Sequence, residues 1–139
     1  MTARRPATRL KAPKVARAAK DARRVATGAT SHQAGHAAEW LAAALLMLKG
    51  YQILGFRLKT RGVEIDILAR QGKTAVVVEV KRRRTIEAAL SAVDPTQLER
   101  LRAAGAALLR QRPSLAGLQL RIDTVALAPG RIPRHRRNL

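Results

Sequence analysis

The chain has no cysteine, which excludes disulfides, zinc–thiolate sites, iron–sulfur clusters and thiol nucleophiles. Its three histidines (His32, His36 and His135) are too few for a His-rich metal site. Aromatic side chains are almost missing: Trp40, Tyr51 and Phe56 are the only ones in 139 residues. That is too sparse for the stacking platform of a single-strand binder. Acids are scarce as well, nine against 28 Lys and Arg, and the formal charge is +19. No apolar run approaches the roughly 20 residues that a membrane span needs. No continuous apolar stretch of the kind a secretory signal carries is present, so a cytoplasmic location is the expectation. The length allows one ordinary domain and excludes a large multidomain enzyme. So basic a chain calls for an anionic partner, either nucleic acid or an acidic membrane surface.

The charge is uneven. Residues 1–31 carry a net +8, residues 32–129 a net +7 and residues 130–139 a net +4. The first segment is Ala, Arg, Lys, Pro and Thr with almost no large apolar side chain, so burial cannot offset its ordering entropy. It reads as a disordered basic tail: a plain solvated end, an electrostatic arm for nucleic acid, or an Arg-rich targeting segment. Residues 130–139 read as a second basic tail, an arm or a frayed end. The domain is 32–129.

Within it, 33–49 reads as a helix, with Leu41, Leu45 and Leu48 recurring above Ala34, Ala37 and Ala38, and with Gly50 as its stop. Residues 51–58, 63–69 and 74–81 read as strands, the last two joined by a turn over Arg70-Gln71-Gly72-Lys73. Residues 86–93 are short, Ala-rich and ambiguous, with a helical turn as one reading. Asp94-Pro95-Thr96-Gln97 starts a helix: an Asp cap, Pro at the first position and Gln in the capping-box place. Residues 118–127 read as a last strand. The order α-β-β-β-α-β predicts an α/β domain with a mixed central sheet and flanking helices.

The chemistry sits on the hairpin. Side chains alternate along a strand, so Val63, Ile65 and Ile67 point one way and Glu64 and Asp66 the other. Val76, Val78 and Val80 oppose Val77, Glu79 and Lys81. A turn centred between Gln71 and Gly72 sets Asp66 opposite Val77 and Glu64 opposite Glu79. All four polar residues then share one face, with Asp66 and Glu79 diagonal at roughly 7–8 Å. Three carboxylates so placed repel one another. A divalent cation between Asp66 and Glu79 resolves the repulsion, since Mg²⁺ takes one or two carboxylates and keeps several waters. Lys81 stands where it can position a water or neutralise a phosphate. The competing reading is a solvated sheet face with Lys81 paired to Glu79 or Glu64. Trp40 reads as core or a partner contact, and Asp123 as a strand-end or structural acid. Two basic runs, Arg57/Lys59/Arg61 and Arg82-Arg83-Arg84, are either solvated faces or phosphate contacts.

These residues resemble a family. Gly35-His36-Ala37-Ala38-Glu39, Gly50-Tyr51, Gly62 through Ala69 and Val78-Glu79-Val80-Lys81 look like the G-x-x-A-E, G-Y, G-E-I-D-L-I-A and V-E-V-K of the YraN-like family of bacterial proteins. Arg121-Ile122-Asp123-Thr124-Val125 is similar to its R-F-D-V-V. That family is assigned to the restriction-endonuclease-like superfamily, whose nuclease signature is (P)D…(D/E)-x-K. The resemblance implies that fold and a Mg²⁺- (or Mn²⁺-) dependent endonuclease acting on DNA, on branched or damaged structures. It implies Asp66 and Glu79 as metal ligands and Lys81 as the catalytic lysine. Glu39 matches the helix glutamate that resolvase-like members place near the metal. Such members often dimerise, so a homodimer is among the expectations. The basic runs would then hold nucleic acid. The alternative is a non-catalytic nucleic-acid-binding protein on a nuclease-like scaffold. The chain departs from the pattern at Val63, where a second Gly is usual, at Arg57, where Asn is, and at Gln97, where Lys is common. Gln97 by itself reads as the capping-box residue.

Overall fold

The structure, a computed structural model, describes residues 30–139. The reading of the 1–31 tail lies almost wholly outside the described residues. The elements run α1 (Thr30–Leu48), β1 (Gln52–Lys59), β2 (Glu64–Gln71), β3 (Thr74–Arg82), α2 (Ile86–Ser91), α3 (Pro95–Gln111), a short 3-10 turn (Pro113–Leu115), β4 (Gln119–Leu127) and β5 (Arg134–Arg136). The five strands form one mixed sheet in the order β1-β2-β3-β4-β5. β3 and β4 are parallel, joined through α2 and α3, and every other pair is antiparallel.

Each helix boundary has a local cause. α1 stops where Gly50 takes φ +90, and the Tyr51 amide closes onto the Leu46 carbonyl at 2.9 Å. Thr85 caps α2, its hydroxyl accepting the Ala88 amide at 3.0 Å. Asp94 caps α3, accepting the Gln97 amide at 2.7 Å, with Pro95 in the first turn.

The sheet is covered on both faces. One core joins Ala38, Ala42, Ala43 and Leu46 of α1 to Ile67, Val76, Val78 and Val125. The other joins Leu101, Ala104 and Leu108 of α3 to Ile65, Leu68, Val77 and Ile122. Gly105 brings α3 close to the sheet, since a Cβ there would fall 2.8 Å from Leu120 Cδ1.

Three sequence expectations change here. Leu41 and Leu48 do not face the core; they are 56% and 86% exposed, and the small residues Ala38, Ala42 and Ala43 pack with Leu46 instead. From Ala38 to Leu48 the helix is apolar except at Glu39, so spacing cannot single out its buried side. Ile65 and Ile67 belong to different cores, so the strict alternation of β2 breaks at Asp66. Residues 130–139, read as a basic tail, supply the edge strand β5, paired to β4 from Thr124 with Arg136 to Ala126 with Arg134.

Candidate active site

The β2–β3 hairpin turns on Gly72 and Lys73, with Gln71 paired to Thr74. Gly72 takes φ +59 at the first central position of this two-residue turn, where glycine carries no steric cost. The sequence reading centred the turn one residue earlier, which shifts the pairing by two positions. Leu68 pairs with Val77 and Ile67 with Val78. The same count carries Asp66 across from Glu79, directly opposite rather than diagonal. Regular pairing ends at Ile67, and the Asp66 side chain takes over: its Oδ2 accepts the Val80 amide at 2.8 Å.

Glu79 is buried at 5% exposure. Its Oε2 accepts Gln97 Nε2 at 2.5 Å and pairs with Lys81 Nζ at 3.0 Å. Its Oε1 is buried and takes no hydrogen bond from any described donor. The Asp66 carboxyl lies within hydrogen-bonding reach of Glu79, which two carboxylates can use only by sharing a proton. Burial first, and then the Glu79 charge, push the Asp66 carboxyl up to about 8, with the Val80 amide pulling the other way and Glu39 adding a smaller push. Taken as ionised, the pair is a repulsive arrangement with one orphaned oxygen.

A divalent cation fits that donor set. Asp66 and Glu79 supply hard carboxylate oxygens, and Glu79 Oε1 has a lone pair to spare. No group of three or more His, Asp or Glu side chains gathers to hold a metal among the described residues. A two-carboxylate site of this kind suits an ion that keeps several of its waters.

The remaining sequence candidates divide. Glu39 stands at the margin of the pair: its Oε1 binds Arg57 at 2.5 Å, and its charge is felt at Asp66. Arg57 sits on β1 at φ +48, a backbone conformation uncommon for a side chain of its size. Glu64 does not join the cluster. It is exposed and paired in register with Lys59, because the alternation of β2 breaks between it and Asp66. The Arg57/Lys59/Arg61 run also splits. Lys59 and Arg61 line a cleft of about 550 Å³ together with Arg100 of α3, while Arg57 goes to Glu39. Arg82, Arg83 and Arg84 are exposed at the end of β3, next to the site.

Sequence reasoning missed Gln97 and Arg100. The Gln97 amide does bind the Asp94 cap, yet its side chain reaches Glu79 rather than turning back as a capping box requires. The lysine common at that place in the family pattern is the signal that pointed there: both side chains donate to a carboxylate.

A second polar centre lies on the α1 side of the sheet. Asp123 is fully buried and holds Arg121 through 2.9 Å bonds at both oxygens, His135 Nε2 at 2.8 Å and the Asn138 amide at 2.9 Å. Arg121 also binds the Tyr51 hydroxyl at 2.5 Å, and Lys49 Nζ donates to His135 Nδ1 at 2.7 Å. Burial alone would raise the Asp123 carboxyl, but the bonds from His135, Arg121 and Asn138 outweigh it and hold the group at about 2. Every oxygen here is satisfied, so the centre reads as the fastening of β5 to β4.

A covered mixed sheet with an acidic pair at the open end of one hairpin defines an α/β protein with a carboxylate site. The chain belongs to the uncharacterised protein family UPF0102, the YraN-like family, whose model matches residues 38–127. It is 54% identical over 112 residues to a UPF0102 protein of Caulobacter vibrioides, covering 81% of this chain and 90% of the relative. It is 47% identical over 110 residues to one of Parvibaculum lavamentivorans, covering 79% and 83%. A third, from Rhizobium johnstonii, is 50% identical over 101 residues, covering 73% and 83%.

Proposed function

We propose that this chain is a Mg²⁺- or Mn²⁺-dependent nuclease acting on DNA, on a scaffold of the restriction-endonuclease-like kind. One observation carries the reading: Glu79 Oε1 is buried and unsatisfied beside Asp66, in a chain where acids are outnumbered three to one. With Asp66 ionised, Lys81 and Gln97 satisfy only Glu79 Oε2, and leaving the buried Oε1 without a donor costs about 1–3 kcal/mol. Stability alone gives no reason to place a second acid beside it. A cation held by Asp66 and Glu79 removes the cost and would supply charge stabilisation at a phosphate and a more acidic water.

The protein's own residues do the rest. Gln97 and Lys81 both bind Glu79 Oε2, which orients the carboxylate and leaves Oε1 for the ion. The Val80 amide fixes Asp66 in the same way. The Lys81 ammonium, mostly buried, lies close enough to place charge or a proton near the reacting phosphate. Arg57 and the exposed run Arg82–Arg84 offer contacts to the nucleic-acid backbone.

The test is calorimetric titration with Mg²⁺ and Mn²⁺, followed by a cleavage screen on flapped, branched and single-stranded DNA. Wild type is expected to bind the ion and cut. Asp66→Ala should lose both, with cleavage down at least about 100-fold, while its melting transition stays cooperative. Cleavage that survives Asp66→Ala refutes the assignment.

A second reading rests on the Lys59, Arg61 and Arg100 cleft, which can hold nucleic acid without chemistry. It expects salt-sensitive binding and no cleavage with any divalent ion.

A further inference from the structure

Trp40 is the sole tryptophan, and it is 61% exposed. It is not core, contrary to one reading of the sequence. Its ring stands 4.9 Å from the Phe56 ring, tilted by 40°. Phe56 packs partly into the α1-side core and so backs the indole from below. Trp40 follows Glu39, and Phe56 precedes Arg57; those two neighbours bind each other at 2.5 Å. Glu39 is also a charge that Asp66 feels. The two aromatics thus adjoin the Glu39–Arg57 pair along the chain, and the Glu39 charge acts on the carboxylate site.

We propose that Trp40, supported by Phe56, is a stacking surface for one unpaired base of a DNA substrate entering the Asp66–Glu79 site. A single aromatic pair is too little for the multi-base platform of a single-strand binder but enough for one base. The inference rests on the reading of the chain as one that acts on DNA, and it names the substrate class: strands with unpaired bases next to the cut. Three features favour a base over other occupants of this surface. The indole is held by an aromatic ring, so stacking costs little further ordering. Arg57, its side chain 40% exposed, is held by Glu39 through Nη1 and has its other guanidinium nitrogens for the phosphate of a stacked nucleotide. The net charge of +19 attracts a polyanion and opposes a second copy of the chain. Bases inside a duplex are stacked on both faces and only the two terminal pairs keep a free one, so a duplex should reach Trp40 far less than a strand of equal length.

Because no other tryptophan contributes, intrinsic emission reports on this residue directly. Full-length protein in EDTA is titrated with an oligothymidylate strand and with a blunt duplex of equal length. The strand is expected to quench emission and the duplex to leave it nearly unchanged. Trp40→Leu keeps an apolar side chain at an exposed helix position, so it should fold with an unaltered melting transition. It should weaken strand binding by about 5- to 150-fold, the loss of one stacked base, and Trp40→Phe should restore part of it. Equal quenching by duplex, or unchanged strand affinity in Trp40→Leu, overturns the proposal. A shift in emission with protein concentration alone assigns the surface to a second copy. A blue shift on anionic vesicles with no response to the strand assigns it to lipid. Cleavage assays separate this from the nuclease reading. Asp66-dependent cleavage with no quenching sinks the stacking surface alone, and quenching without cleavage by wild type sinks the nuclease alone.

Discussion

Asp66 is an acid that burial and a neighbouring charge both oppose. An acid whose folded pKa is raised destabilises the fold wherever the unfolded chain would ionise it. For Asp66 the cost begins near its ordinary value of 3.8 and grows as pH rises, until the group ionises in the folded state at about 8. Asp66→Asn removes the charge and keeps an oxygen for the Val80 amide. Its Tm at pH 8 should therefore exceed that of the metal-free wild type by about 5 °C, with the difference vanishing below pH 4. Thermal melts across that range in EDTA check it. Equal Tm values at pH 8 would mean that the carboxylate is not strained. The Glu79 Oε1 without a donor adds to the same strain from the facing strand.

At the scale of elements, β5 carries more than its three residues suggest. It pairs with β4, and its central residue His135 reaches the buried Asp123 while the Asn138 amide donates to the other oxygen. The Leu139 amide closes on the Ile122 carbonyl at 2.7 Å. Asp123, held at about 2, contributes stability that is full above its ordinary pKa and is lost as pH falls through the folded value. Deleting residues 131–139 leaves Asp123 with Arg121 but without His135 and Asn138. The loss should be about 3–5 kcal/mol, the cost of breaking a buried charged network. Chemical denaturation of the truncated chain measures it, and a loss under about 0.5 kcal/mol would make the segment the frayed end that its composition suggests.

For the whole molecule, charge decides partner and conditions. The cleft lined by Lys59, Arg61 and Arg100 brings together residues about forty positions apart, at the end of β1, on the β1–β2 connection and on α3. If it tracks a nucleic-acid backbone, replacing all three by serine should reduce the slope of log affinity against log salt by about 0.7–0.9 for each phosphate that is no longer neutralised. Filter binding at several salt concentrations reads the slope, and an unchanged slope removes the cleft from the interface. Among the described residues no helix is long and apolar enough to cross a membrane.

Much was legible in the residues themselves. Alternation in 63–67 and 76–80 announced two strands, Asp94-Pro95 announced α3, and the motif spacing brought Asp66, Glu79 and Lys81 to one hairpin. These are local signals, written by side-chain period and backbone preference. The tertiary structure decided what local signals cannot carry. It set the turn at Gly72-Lys73, and with it the partner of Asp66, because a one-residue change of centre moves every pair while leaving the faces alike. It chose the alanine face of α1, since a helix apolar on nearly every side offers no preference of its own. It removed Glu64 from the carboxylates by breaking the alternation at Asp66. It sent Gln97 across 18 residues to Glu79, and it turned a basic tail into a strand because His135 finds a buried acid that only the folded sheet presents.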